Sequence, residues 1–340
     1  MTILPLRTAR LTLRVMHPED AATLASYRDD VEVARFQDWA MPYGIADAQR
    51  LLAPQAGLDD LDPTGWTQVA VEHDGRVVGD VAVELDPAAP RAAIGYTLAP
   101  DWHHRGLALE AVGAVVDALF QRSAVRRIEA SLDPDNVASM RVVETLGFCF
   151  EGVARQAALV RGAWVDDARF AILREDRAAW CARNRSRPQR VELVELDDET
   201  AGPFARLATH RFQERFVAPM DASWRHALLP EIVDGARVVP WFRGITADGV
   251  PAGFVMLAAA TSAHPDPYLW RLLVDRWHQR RGIGERAVAT IVDLLRRDGR
   301  RRLLTSWVDG PGSPAAFYAR LGFRRTGRLV EGEIEGVLEL

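Results

Sequence analysis

The chain has 340 residues, 48% hydrophobic and 26% charged, with a net charge of −5 at pH 7. That balance excludes a disordered chain and a general nucleic-acid binder, which would be rich in charge or basic. The length implies about two domains. Two cysteines, Cys149 and Cys181, exclude a disulfide framework, and neither has metal-ligand spacing around it, so no metal is expected. No apolar run is long enough to span a bilayer, and residues 1–14 lack the apolar core of a secretory signal. A cytoplasmic protein with no membrane and no nucleic-acid partner is the expectation.

In chain order, residues 11–15 alternate like a strand, and Pro18-Glu19-Asp20 opens a helix to about residue 28. Residues 30–65 read as irregular, since they hold Trp39, Pro42, Gly44, Pro54 and Pro63. Residues 68–72 and 77–85 form a hairpin around His73-Asp74-Gly75, and 91–98 is a third apolar strand. A helix over 106–121 carries Leu109, Val112, Val115, Val116 and Leu119 on one face. Then come a strand at 127–132, a helix at 137–146 stopped by Gly147, and strands at 148–160 and 164–173.

The second half repeats this order. Strands are expected at 191–196, 238–245, 253–260, 268–274, 303–308 and 332–340, and helices at 203–214, 282–297 and 314–321. The polar, proline-containing stretch from Arg183 to Arg190 reads as a linker, so the domains are 1–182 and 183–340. Three landmarks recur in register. Gly106 is answered by Gly282, Leu146-Gly147-Phe148 by Leu321-Gly322-Phe323, and Gly75-Arg76-Val77-Val78-Gly79 by Gly249-Val250-Pro251-Ala252-Gly253. Such order at a nearly constant offset means a duplicated domain.

The repeated centre is a turn between an apolar strand and an apolar-periodic helix. It reads Trp102-His103-His104-Arg105-Gly106-Leu107-Ala108 in the first half and Trp277-His278-Gln279-Arg280-Arg281-Gly282-Ile283-Gly284 in the second. The first N–H groups of a helix lack partners and sit at the positive end of its dipole. Glycine lets a ligand approach them, and Arg280 and Arg281 add positive charge, which suits a pyrophosphate. The turn lacks the third glycine of the dinucleotide fingerprint and the Lys-Ser/Thr of a Walker loop.

This arrangement, with the helix, strand and Leu-Gly-Phe that follow, resembles the GNAT superfamily of acyl-CoA-dependent N-acetyltransferases, once per half. The first half is similar to the Rim-type branch, which includes ribosomal-protein N-terminal acetyltransferases. Thr8-Ala9-Arg10-Leu11-Thr12-Leu13-Arg14, Gly106-Leu107-Ala108-Leu109-Glu110-Ala111 and Asn136-Val137-Ala138-Ser139 carry that likeness. The second is similar to bacterial diamine and polyamine acetyltransferases through Leu269-Trp270-Arg271-Leu272-Leu273-Val274-Asp275, the Gln279–Gly284 turn and the tail from Gly327 to Glu333.

The resemblance implies two tandem α/β folds. Each would be a bent mixed sheet splayed between its fourth and fifth strands, with helices on both faces and acetyl-CoA in the splay. It implies cofactor contacts at Leu272, Val274, Gln279, Arg280, Arg281, Gly282, Ile283 and Gly284, and at Leu98, His103, His104, Arg105, Gly106, Ala108 and Asn136. It implies Tyr318, four residues before Gly322, as the acid for the leaving thiolate. The same position in the first half is Val143; there the branch suggests Ser139 as the acid, and Asn136 serves as a helix cap, a cofactor contact or both.

The general base stays open among Asp80, Glu84, His264, Asp266 and Asp275, each also readable as a strand-end polar residue. The basic run Arg296 to Arg302 reads as a solvated face, with contact to a cofactor phosphate as the alternative. The expected reaction moves an acetyl group to a primary amine of a small molecule such as a polyamine, diamine or aminoglycoside. Two alternatives stand beside it: both domains act on different amines, one a protein N-terminus, or one domain is a non-catalytic scaffold. A monomer with an internal pseudo-dimer is consistent with the duplication.

Overall fold

The computed structural model describes residues 2–233 and 235–340. The chain divides into two compact units, Met1–Ala182 and Arg183–Leu340.

Unit 1 is built on one sheet. Its strands are β1 (Leu6–Arg7), β2 (Leu11–Val15), β3 (Trp66–His73), β4 (Arg76–Leu85), β5 (Arg91–Leu98), β6 (Arg127–Leu132), β7 (Cys149–Val160) and β8 (Ala163–Leu173). They lie in the order β1-β2-β3-β4-β5-β6-β8-β7. All neighbours are antiparallel except β5 and β6, which run parallel. Helices α1 (Ala21–Arg28), α2 (Val31–Ala34), α3 (Ile45–Leu52), α4 (Leu107–Arg122), α5 (Val137–Leu146) and α6 (Arg174–Ala182) complete the unit. Val112, Val115, Val116 and Leu119 of α4 are buried, as the stripe read from the sequence predicts, while Leu109 is only half-buried and Leu107 is buried in its stead. Met16, Leu24, Tyr27, Leu52 and Ala70 form a separate cluster under α1 and α3.

The stretch expected to be irregular, 30–65, holds α2 and α3. Asp30 caps α2 by accepting from the N–H groups of Glu32 and Val33, and Ala48 and Leu52 bury the inner face of α3. The density of proline and glycine around these short helices hid them. Helix α6 also follows the last strand, where the sequence pattern suggested none.

Unit 2 repeats the plan with β9 (Val191–Val194), the separate pair β10 (Ile232–Val233) and β11 (Ala236–Arg237), β12 (Pro240–Ala247), β13 (Val250–Ala258), β14 (Tyr268–Val274), β15 (Arg302–Trp307), β16 (Arg324–Val330) and β17 (Glu333–Glu339). The main sheet runs β16-β17-β15-β14-β13-β12-β9, with β14 and β15 parallel. Its helices are α7 (Ala201–Ala205), α8 (Met220–Leu228), α9 (Ile283–Arg297) and α10 (Ala315–Arg320).

The strand period of two sorts β13 between two cores. Val255 and Leu257 pack with Ile283, Val288, Ile291 and Leu303, while Phe254 and Met256 pack with Met220 of α8. The helix expected over 203–214 is shorter. The N–H of Ala208, which would continue it, donates instead to Asp275 Oδ2 at 2.9 Å. Helix α8 and strand β16 were not foreseen; every residue of β16 is exposed, so no apolar alternation marks it.

Leu-Gly-Phe has the same local reason in both units. Gly147 and Gly322 sit at φ +99° and +94°. The next N–H reaches back five residues, Phe148 to Val143 O and Phe323 to Tyr318 O, both at 3.1 Å. This is a Schellman stop that glycine makes without strain. It fixes the end of α5 or α10, and with it position 143 or 318.

Candidate active site

In each unit the parallel pair opens almost at once. Strand β5 pairs with β6 only at Arg91, Ala92 and Ala93, and β14 with β15 only at Tyr268 and Leu269. Beyond those residues the strands diverge, as the resemblance implied. In unit 2 the divergence leads into a cleft of about 1860 Å³. Its lining includes Leu272, Val274, Gln279, Arg280, Gly282, Ile283, Gly284 and Tyr318. In unit 1 a smaller cleft of about 290 Å³ lies at Thr8, Arg10 and Glu72 and includes neither Tyr96 nor Gly106.

The two turns share one backbone. His104 and Arg280 take φ +59° and +63°, and Gly106 and Gly282 take φ +76° and +75°. His103 Nε2–H donates to Leu98 O at 2.9 Å, and Gln279 Nε2 donates to Val274 O at 3.0 Å. Histidine thus does in unit 1 what glutamine does in unit 2, tying the turn to the end of the splayed strand. No side chain caps α4 or α9, so the first helical N–H groups stay available to an anion. At Gly284, an added Cβ would stand 3.4 Å from the Phe317 ring. Ala108 occupies the same place in unit 1.

The structure reassigns two arginines. The Arg281 guanidinium turns inward and is only 5% exposed. It donates to Ser186 O and His278 Nδ1, both at 2.8 Å. Its side chain does not line the cleft, which corrects its expected contact with the pyrophosphate and leaves only its main chain at the turn. Arg187, expected in the linker, lies over the turn instead, its Nε 3.5 Å from where a Gly282 Cβ would be. Arg10 does the same in unit 1, with Nη2 3.7 Å from the Gly106 position, and it pairs with Glu110 at 2.6 Å. Arg10 directly precedes β2, whereas Arg187 lies four residues before β9, so no shared spacing marks the two. The run at 296–302 lies at the far end of α9, roughly 20 Å from Gly282 at 1.5 Å per residue, so it does not reach the turn.

Tyr318 is 8% exposed, stacked on Trp307 at 5.4 Å and set edge-on to Phe323. Its hydroxyl meets the side chain of Thr305, whose own hydroxyl donates to Leu269 O at 3.0 Å. Leu269 and Thr305 are the last paired residues before the strands part, so the phenol stands at the point of the V. Burial pushes its pKa up to about 12.

In unit 1, Val143 is fully buried and brings no proton. Asn136 caps α5, accepting the Ser139 N–H at 3.1 Å. Tyr96 donates its hydroxyl to Ser139 O at 2.9 Å, bridging the splayed strand to α5.

A second difference sits on the splayed strand itself. In unit 1, β4 and β5 pair in unbroken register. In unit 2 the register slips between Met256 and Leu257, which face Arg271 and Leu269, so Trp270 bulges. Leu269 then joins the core under α9 while Leu273 joins the core under α8. Four residues apart in a regular strand, they would share a face.

Most of the expected bases are committed elsewhere. Asp80 is buried, accepting from Tyr27 Oη at 2.6 Å and Arg28 Nη2 at 3.0 Å. Asp275 accepts the N–H groups of Ala208 and Trp277. His264 Nε2 donates to Val233 O at 3.0 Å, and Asp266 pairs with Arg302 at 2.6 Å. His226 lines the cleft, stacked on Trp270, but its Nδ1 accepts from Arg271 at 3.1 Å. Burial and the nearby Arg271 charge hold its pKa below the usual imidazole value. Among the described residues no group of three metal-ligating side chains converges, and no described helix is long and apolar enough to cross a membrane.

Comparison with known proteins agrees with this geometry. Residues 10–149 match the family described as "Acetyltransferase (GNAT) domain", and residues 204–323 match "Acetyltransferase (GNAT) family". An uncharacterized N-acetyltransferase, p20 of Bacillus licheniformis, is 30% identical over 177 residues, 51% of this chain and 98% of the relative. The [Ribosomal protein uS5]-alanine N-acetyltransferase of Escherichia coli is 31% identical over 185 residues, 50% of this chain and 91% of the relative. The solved structure of Mycobacterium smegmatis RimJ in complex with CoA-disulfide is 24% identical, with a TM-score of 0.43 over 48% of this chain and 82% of that one. The first half resembles Rim-type ribosomal acetyltransferases. The chain is therefore a tandem member of the GNAT family, an acyl-CoA-dependent N-acetyltransferase that draws on acetyl-CoA.

Proposed function

We propose that unit 2 carries the transfer, moving an acetyl group from acetyl-CoA to a primary amine of a small cationic molecule. The observation that carries this reading is that one cleft holds both the uncapped turn at Gly282–Gly284 and Tyr318. The turn amides and the Arg187 and Arg280 side chains at that end suit a diphosphate. The cleft is also lined by Glu231, Glu331 and Glu333, with Arg271 near them and Arg328 paired to Glu335; the carboxylates not taken up by Arg328 favour an ammonium-bearing acceptor.

Bound acetyl-CoA supplies an activated acetyl group as its thioester. The remaining work falls to the chain. The amides of residues 283–285 hold the anion. Gln279 fixes the turn to the end of β14, and the open side of that strand guides the pantetheine past Leu272 and Val274. Tyr318, protonated throughout the neutral range, offers its O–H where thiolate charge develops. Offering polyamines, diamines and aminoglycosides with acetyl-CoA, and following free thiol, tests the reading. Turnover of one of these classes is the expected result, and acetyl-CoA binding with turnover of none would refute it.

A second acceptor is supported by the uS5-alanine acetyltransferase likeness: a protein N-terminal amine taken by unit 1. Acetylation of alanine-start peptides that survives Tyr318→Phe would support it.

A further inference from the structure

Sheet β14–β15 separates two sides of the cleft. Thr305 and Trp307 of β15 face the core under α9 and α10, with Tyr318. Ser306, between them, faces the other side, and its hydroxyl donates to Glu333 Oε2. Tyr268, the last residue but one before β14 diverges, reaches Ser306 with its own hydroxyl. Tyr268, Ser306 and Glu333 thus form a chain across the mouth of the splay. All three line the cleft that also holds Tyr318.

The neighbouring acid differs in kind. Glu335 is 2% exposed and saturated by Arg328 at 2.6 and 2.9 Å and by Thr326 at 2.6 Å. Glu333 has one donor among the described residues, a hydroxyl. A carboxylate held by a neutral hydroxyl keeps acceptor capacity for a substrate N–H. The other charged and titratable groups about it are Arg271 and Tyr268 of β14, Tyr318 of α10, and Glu331 and Glu335 beside it in sequence.

We propose that Glu333 is the catalytic base of unit 2, with Ser306 as its positioning residue. This rests on the reading that unit 2 acetylates an ammonium-bearing acceptor. The ammonium gives one proton to Glu333. The neutral amine nitrogen then forms the C–N bond to the acetyl carbon while the C–S bond breaks. Tyr318 gives its proton to the sulfur, and the second proton of the nitrogen passes through solvent in the open cleft to restore the phenol. The net change is ammonium plus thioester to amide, thiol and one proton, which Glu333 releases to solvent. Acid and base then stand on opposite sides of one strand, which keeps their protons apart.

The test is Glu333→Gln in the full chain, with kcat/KM for the amine measured from pH 7 to 10 and acetyl-CoA affinity measured by calorimetry. Expected is a loss of about 100-fold near pH 7.5. It shrinks toward high pH as an amine of pKa about 10 arrives already neutral, with acetyl-CoA affinity unchanged. Ser306→Ala should show a smaller loss with the same recovery, and it carries the test should Glu333→Gln not fold. Loss that is equal at every pH, or no loss, overturns the proposal while leaving the functional reading intact. A wild-type chain that binds acetyl-CoA but acetylates no amine overturns both.

Discussion

In unit 1 the strand beside the opening pairs with its inner neighbour without interruption, and a tyrosine spans from it to the facing helix. In unit 2 the corresponding strand bulges at Trp270, and the opening widens into a cleft of about 1860 Å³. The turns beside these openings match closely in backbone, down to the two left-handed residues. Duplication has therefore kept the part that would grip a nucleotide diphosphate and varied the part that would do chemistry. One added residue in a strand re-aims every side chain after it. Arg271 and the residues after it are re-aimed in this way, while Tyr268 before the bulge and Ser306 on β15 line the same cleft as Tyr318. Unit 1 keeps a fully buried valine at the tyrosine's position.

The sharpest way to break this contrast is Tyr318→Phe. The phenyl ring keeps the stack on Trp307, so folding should survive. The kcat should fall by about 10²- to 10⁴-fold, and steady-state assays that find it unchanged would erase the distinction from Val143. The next effect lies in unit 1. Arg28→Ala leaves Asp80 buried against Tyr27 without its cation, which should cost about 3–5 kcal/mol. Denaturant unfolding should show that loss in the unit 1 transition and leave unit 2 in place.

A pH effect follows from Tyr318. Its folded pKa is raised from 10.0 to about 12, so the stabilisation is fully present below pH 10. It is lost as pH rises from 10 to 12, where the unfolded chain releases its proton first. The loss is of order 2–3 kcal/mol at about 1.4 per unit. Stability of Tyr318→Phe measured over the same range should fall less steeply by that amount, the remaining slope coming from Tyr27, Tyr43, Tyr96 and Tyr268, which are also held above their ordinary value. The smallest effect is Arg187→Ala. An exposed charge at the turn is worth under about 1 kcal/mol, so the KM for acetyl-CoA should rise about 3-fold with kcat unchanged. No change in KM would remove Arg187 from the turn's function.

Much of this organisation was legible in the residues. Glycine positions marked both turns and both helix stops because their left-handed φ values strain residues that carry a side chain. The α4 and α9 stripes announced which faces would be buried. What stayed hidden had physical causes. Strand β16 is exposed along its whole length and carries no alternation. The helix expected over 203–214 loses to Asp275, a partner 67 residues away from Ala208. Arg281 and Arg187 exchange roles because a guanidinium's direction is set by tertiary acceptors such as Ser186 O, which spacing does not encode. The Trp270 bulge comes from pairing with β13, and Glu333 becomes notable only once Ser306 is seen to face it.

The central claim is that the backbone of the unit 2 turn grips acetyl-CoA and so makes unit 2 the working site. Calorimetric titration of acetyl-CoA into the wild-type chain and into Gly282→Asp tests it directly. A carboxylate at Gly282 would repel the diphosphate and block the helix N-terminus. The account predicts that the variant loses at least about 100-fold in affinity at that site, equivalent to about 2.8 kcal/mol, and loses amine acetylation with it. Equal affinity and equal turnover in the two chains would contradict it.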